Sequence, residues 1–354
     1  MRRGKYFYFY LMLFLFSFVF SKKDYKKSLE GIPYIYKGLK LRIEVPKDTF
    51  LQGEPVAIRC WFINTGSDTI FLEKMTGELI GGATRIAIYV KTPKREIVKY
   101  RTYGSAFVVS RWYTIKDYGK KHAVSIPPHD SVYDWAFPIL VDPAPDYEMT
   151  KPSFVPWDKG MYIIQIVYRG YGYEKFGWLW SGRIKSNKIK IYLNSLKGED
   201  RKAFNILKKD RYYRAWRARG AYPDNGSPWI DHRYLKGIRK VYTQYPGSCY
   251  APFCLVMDIS QFLFGVPEDR DYKKVCDLCK RFEKMYPGHY LLPDVYIYHA
   301  IALLYQKKNK EAKKYLKKFK RLGYKKGIFH DNFIRDRERN WKTVETLKRY
   351  LETL

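Results

Sequence analysis

One pattern is written twice in the C-terminal half of the chain. Tyr245-Pro246-Gly247 with Pro252 returns 41 residues later as Tyr286-Pro287-Gly288 with Pro293, and the flanking apolar positions fall into register. Leu235, Ile238 and Val241 align with Cys276, Cys279 and Phe282. Cys254, Ile259, Phe262 and Leu263 align with Val295, Ala300, Leu303 and Leu304. These spacings keep the apolar residues on one broad helical face, so each unit reads as a helix, a Tyr-Pro-Gly turn and a second helix. A fixed period of this size predicts stacked helical hairpins that bury their apolar faces against one another. A third unit begins at Asn309, where Ala312, Leu316, Phe319 and Leu322 form a stripe opposite a row of lysines.

The chain is 354 residues long, which makes two domains the expectation. Its 67 Lys and Arg against 35 Asp and Glu give a formal charge of +32. Residues 197 to 354 carry 36 basic and 18 acidic side chains and residues 1 to 196 carry 31 and 17, so no detachable tail accounts for the charge. Such a field attracts polyanions, whether lipid headgroups, acidic glycans or nucleic acid.

Arg2, Arg3 and Lys5 precede an apolar run from Tyr6 to Phe20, followed by Ser21 and Lys22. That order predicts a secretory signal peptide over residues 1 to 21, and the run is short for a membrane span. An uncleaved signal anchor is the rival reading. Either places the bulk of the chain outside the cytoplasm, in the periplasm or at the cell surface, which disfavours nucleic acid as the anionic partner. Residues 22 to 38 read as a linker.

From Leu39 the period changes to two. Leu41, Ile43 and Val45 alternate with polar residues, as do Val56, Ile58, Cys60 and Phe62, with turn residues between and after. Further runs at 85 to 91, 96 to 100, 132 to 140, 161 to 168 and 188 to 193 bring the expectation to about seven antiparallel strands over residues 39 to 195. Leu51-Gln52-Gly53-Glu54-Pro55-Val56, then Asn64-Thr65-Gly66, Gly160-Met161-Tyr162 and Ser186-Asn187 resemble the immunoglobulin-like β-sandwich domains of exported bacterial proteins. The resemblance implies a sandwich and carries no chemistry. Tyr171, Tyr173, Trp178 and Trp180 crowd one predicted loop, as a stacking platform for a sugar or peptide or as a cap on the sandwich.

Residues 197 to 354 are predicted helical from Gly198-Glu199-Asp200 onward, with acidic residues in a first turn. Tyr245 to Cys254 resembles the tetratricopeptide repeats of bacterial envelope-assembly proteins, which implies a protein-binding helical solenoid. Tyr212, Tyr213, Arg214, Trp216 and Arg217 form a basic aromatic stretch before the first unit. Arg with Tyr and Trp is the mixture that interface cores favour, so these are candidate partner-binding residues.

Cysteine is the main lead to chemistry. Cys249, Cys254, Cys276 and Cys279 have spacings that can hold zinc, but the repeat places Cys254, Cys276 and Cys279 at apolar core positions. Packed thiols are one reading, and a disulfide from Cys254 to Cys276 or Cys279 in an oxidising compartment is another. The six histidines are scattered; His299 aligns with Asp258 and reads as a helix-surface or groove residue. No nucleophile, metal, phosphate or dinucleotide motif occurs. The sequence therefore leads to an exported, non-enzymatic envelope protein without cofactor or metal, which binds an envelope protein in a helical groove. The rival is a surface protein that binds anionic lipid headgroups or acidic glycan.

Overall fold

The computed structural model describes residues 38–73, 86–101, 123–136, 158–170, 180–210, 235–264 and 270–321. All described strands lie between Leu39 and Asn194, and all described helices between Gly198 and Arg321.

The strands are β1 (Leu39–Glu44), β2 (Thr49–Leu51), β3 (Ile58–Asn64), β4 (Ile70–Glu73), β5 (Ile86–Lys91), β6 (Ile97–Arg101), β7 (Ala123–Ile126), β8 (Ser131–Ala136), β9 (Gly160–Gly170) and β10 (Gly182–Asn194). They form a three-stranded sheet β1-β3-β8, a five-stranded sheet β2-β10-β9-β5-β6 and the pair β4-β7. Alternate residues of the two larger sheets turn into one buried cluster, with Leu41, Cys60 and Phe62 from the first and Val90, Ile164, Tyr168 and Ile191 from the second. Two expectations are corrected. Ten strands rather than seven are described, and β2 runs parallel to β10 rather than antiparallel. β2, β4 and β7 are three or four residues long, too short for alternation to announce them.

The turn motifs have specific tasks. The Asn187 side chain accepts from Ile43 N at 2.7 Å and donates to Ile43 O at 3.0 Å, tying β10 of one sheet to β1 of the other. It can do so because β10 has an irregular register between Lys185 and Lys188, where Ser186 Oγ accepts from Ile166 N. Asn64 donates to the carbonyls of Asp68, Ile126 and Pro127 and accepts from Gly66 N, closing the Asn-Thr-Gly turn.

The helices are α1 (Gly198–Leu207), α2 (Lys236–Gln244), α3 (Ala251–Phe264), α4 (Tyr272–Met285), α5 (Leu292–Tyr305) and α6 (Asn309–Arg321). The 41-residue repeat is a repeat of structure. Tyr245 and Tyr286 end α2 and α4 with nearly the same backbone angles, φ −129° and ψ 56° against φ −132° and ψ 55°. Their amides donate to Val241 O and Phe282 O, and the next turn closes by Ser248 N to Tyr245 O and by His289 N to Tyr286 O. Helices α2, α4 and α6 are amphipathic. In contrast, α5 is buried from Leu292 to Leu304, since α4 and α6 pack on it and α3 touches it. No helix among the described residues is long and apolar enough to cross a membrane. The N-terminal basic and apolar segment lies outside the described residues.

Strands and helices meet at the Leu51-to-Val56 turn. Gln52 donates to Asn194 O and accepts from the Tyr250 hydroxyl at 2.7 Å. Glu54, 2% exposed, accepts from Leu51 N at 2.8 Å and from Lys47 Nζ at 2.6 Å. Burial pushes its carboxyl up, against the Lys47 charge that pulls it down. Asp200 of α1 accepts from Cys249 N, and Ala57 and Tyr133 belong to the same buried cluster as the helices.

Candidate functional site: a charged seam between the helical hairpins

Polar and charged side chains tie the two helices of each hairpin together and reach from one hairpin to the next. Asp258 is the one basic or acidic residue in the fourteen of α3, and it is fully buried. Arg239 of α2 grips it in two-pronged fashion, Nε to Oδ1 at 3.0 Å and Nη2 to Oδ1 at 2.9 Å, and the Tyr242 hydroxyl donates to Oδ2 at 2.6 Å. A buried carboxylate requires such pairing. Burial first, then the Asp258 charge, pushes the Tyr242 hydroxyl far up, so it stays a donor. Two cations converge on Phe262, Arg239 at 5.1 Å and Lys274 of α4 at 4.2 Å from the ring centre. Arg281 of α4 lies 5.2 Å over Tyr242 and donates to its carbonyl, joining α4 to α2.

Forty-one residues on, the same positions carry different chemistry. Arg239, Tyr242 and Asp258 become Lys280, Glu283 and His299, and the carboxylate moves from the inner helix to the amphipathic one. Glu283 accepts from Tyr296 at 3.2 Å and from Lys318 of α6. Lys318 lies 4.9 Å over Tyr315, which stacks at 3.7 Å on His299. Burial pushes the Tyr296 and Tyr315 hydroxyls up to about 12, so both are neutral donors. The seam therefore presents Arg239, 28% exposed at its side chain, and Lys318, 42% exposed, each anchored over rings.

His299 is 1% exposed, so it is a core residue rather than the surface one the sequence suggested, and its Nδ1 is buried without a hydrogen-bond partner. Burial first, then Lys280 and Lys318, lowers its pKa to about 3. Burial and Lys47 lower that of His289 to about 4, in a nest of Phe253, Phe282 and Tyr290. Folding holds both rings neutral. Above pH 6.5 the unfolded chain is neutral too, and the contribution to stability is complete. As pH falls below about 6.5 the unfolded chain takes up protons that the folded chain refuses, costing about 1.4 kcal/mol per pH unit per histidine. The loss continues to about pH 4 for His289 and about pH 3 for His299, with the part-exposed His289 giving the smaller share. Urea unfolding at pH 7 and pH 5 is expected to show this loss, reduced in His299→Phe; an unchanged pH dependence in that variant would refute the assignment.

All five cysteines are free thiols, including Cys254, Cys276 and Cys279, for which the sequence left a disulfide open. Burial pushes the thiols of Cys249, Cys254 and Cys279 well up, which keeps them protonated and weakly nucleophilic. Native protein is expected to react slowly with iodoacetamide at Cys254 and Cys279, and to keep its thermal midpoint when reductant is added. A drop in that midpoint would reveal a disulfide. No three His, Cys, Asp or Glu side chains converge as metal ligands among the described residues.

Trp180 is 7% exposed and packs 5.8 Å from Tyr168, so it belongs to the β core rather than to a stacking platform. Tyr171, Tyr173, Trp178, Tyr212, Tyr213, Arg214, Trp216 and Arg217 lie outside the described residues. The seam itself was missed by sequence reasoning. Its signal was a lone aspartate in the apolar run from Ala251 to Phe264, which a buried helix carries only when a cation faces it.

No family model matches the chain, and no curated protein matches it. Solved structures that match include the sporulation control protein Spo0M of Bacillus subtilis, at 10% identity and a TM-score of 0.22, covering 48% of this chain and 55% of that one. The alkylpurine DNA glycosylase AlkC of Pseudomonas fluorescens matches at 7% identity and a TM-score of 0.23, covering 44% of this chain and 30% of that one. A β-glucosidase of Listeria innocua matches at 8% identity and a TM-score of 0.22, covering 46% of this chain and 16% of that one. The chain thus covers about half or less of each of these three structures. The expectation of a non-enzymatic chain is corrected, because two of these matches are enzymes. Likenesses of this strength assign no activity in its place.

Proposed function

We propose that the chain is an exported envelope protein that recognises a protein partner along the seam of its helical hairpins. In this reading the strands form an immunoglobulin-like sandwich that orients a tetratricopeptide-like array, and Arg239, Arg281, Lys280 and Lys318 face the partner. The observation that carries the reading is the repeated hairpin, which sets cations over aromatic rings between successive units. Anchored cations lose little freedom on binding, and Arg with Tyr and Phe is the mixture of interface cores. The basic start and apolar run before Ser21 support export. The test is a crosslinked pull-down of the full chain from its own envelope fraction at low and high salt. Defined proteins retained at high salt support the reading; loss of every protein at high salt would replace the groove by bulk charge attraction.

A further inference from the structure

The three large hydrophobic side chains exposed among the described residues, Ile97 (71%), Met161 (40%) and Tyr192 (48%), come from three strands of one sheet and lie on one face of it. The register places them there. Tyr192 of β10 pairs with Met161 of β9, and one step along the strands Lys190, Ile163, Lys91 and Ile97 sit side by side across β10, β9, β5 and β6. A further step brings Lys188, Gln165 and Tyr89. The side chains between these rows, Ile164, Val90 and Ile191, point into the core, so the rows face outward. Lys91, Lys188 and Lys190 are exposed, and the three rows hold no carboxylate. The carboxylates Glu96 and Asp158 stand in flanking turns, Asp158 beside Lys94 at 4.0 Å. Among the described residues the helices do not cover these rows: their buried cluster takes in Ala57 and Tyr133 from the other side of the β region.

We propose that this outer face of the five-stranded sheet docks on an anionic lipid surface. Ile97, Met161 and Tyr192 enter the headgroup boundary, and Lys91, Lys188 and Lys190 pair with lipid phosphates. Lysines interleaved with aliphatic side chains match an anionic surface that has an apolar interior beneath it. A soluble polyanion would satisfy the lysines and leave Ile97 and Met161 in water. The inference uses a surface separate from the helical seam and stands whether or not the seam binds a protein.

The test is lysine footprinting of the full chain by a water-soluble acylating reagent, read by mass spectrometry, with vesicles of phosphatidylglycerol or of phosphatidylcholine. Lys91, Lys188 and Lys190 are expected to lose reactivity by about fivefold or more on phosphatidylglycerol alone, while Lys313, Lys314 and Lys317 of α6 keep theirs. Ile97→Glu, at a position too exposed to disturb folding, is expected to restore reactivity at all three sheet lysines. Unchanged reactivity on phosphatidylglycerol, equal protection of the α6 lysines, or equal protection by soluble dextran sulfate would each overturn the proposal.

Discussion

Gly53→Ala is expected to destabilise the protein by about 3 kcal/mol, from two separate causes. Gly53 has φ +75°, a left-handed conformation that costs an L-residue about 1 kcal/mol. A β-carbon there would also lie 2.3 Å from Phe204 Cε2, and overpacking of that kind costs about 1–3 kcal/mol. Neither side can yield. Phe204 is 5% exposed and packs 6.0 Å from Tyr250, while the turn is pinned by Gln52 to Asn194 and by Glu54 to Leu51. Urea unfolding of Gly53→Ala, Phe204→Leu and the double variant separates the causes. The double variant is expected to be more stable than the sum of the single losses allows, because the smaller side chain removes the clash and leaves only the backbone strain. Strictly additive losses would mean that Gly53 and Phe204 do not touch, and that the strands and helices are joined elsewhere.

Asp258→Ala is expected to cost about 3 kcal/mol, because it removes the acceptor of a two-pronged arginine and of a buried tyrosine at once. The part exposure of Arg239 keeps the loss at the lower end of the range for broken buried pairs, since the guanidinium can turn toward water. At the equivalent position of the next hairpin, His299→Phe keeps a ring against Tyr315 and removes a buried nitrogen that lacks a partner, so its stability at pH 7 should change by less than about 1 kcal/mol. Thermal unfolding of the two variants side by side checks both statements. A large loss at His299 and a small one at Asp258 would reverse the electrostatic account of the seam.

The repeat was readable because it depends on local spacing. Every apolar position aligned across the 41 residues, from Leu235 and Cys276 to Leu263 and Leu304, is buried. The strands with clean alternation, β1 and β3, were equally plain. What stayed hidden depends on contacts between distant segments. Glu54 looked like a residue at a strand edge, and its partners Lys47 and Leu51 are near in sequence, but it also lies close enough to Asp200, Cys249 and Tyr290 of the helical region to couple to them electrostatically. Asn187 looked like part of a closing strand, yet its side chain bonds Ile43, 144 residues away. Trp180 looked like a loop aromatic, although only the fold shows Tyr168 beneath it. The outer face of the five-stranded sheet could not be read before the register between β10, β9, β5 and β6 was known.

The most direct test of partner recognition is photocrosslinking from inside the seam. A photoreactive amino acid is placed at Lys280, which is exposed on α4 and close enough to His299 to lower its pKa, and as a control at Lys313 on α6. The full chain is then irradiated in its native envelope. A discrete protein adduct is expected from position 280 that persists at high salt and is absent from position 313. No adduct at 280, or the same adducts from both positions, would contradict recognition of a protein partner by the seam.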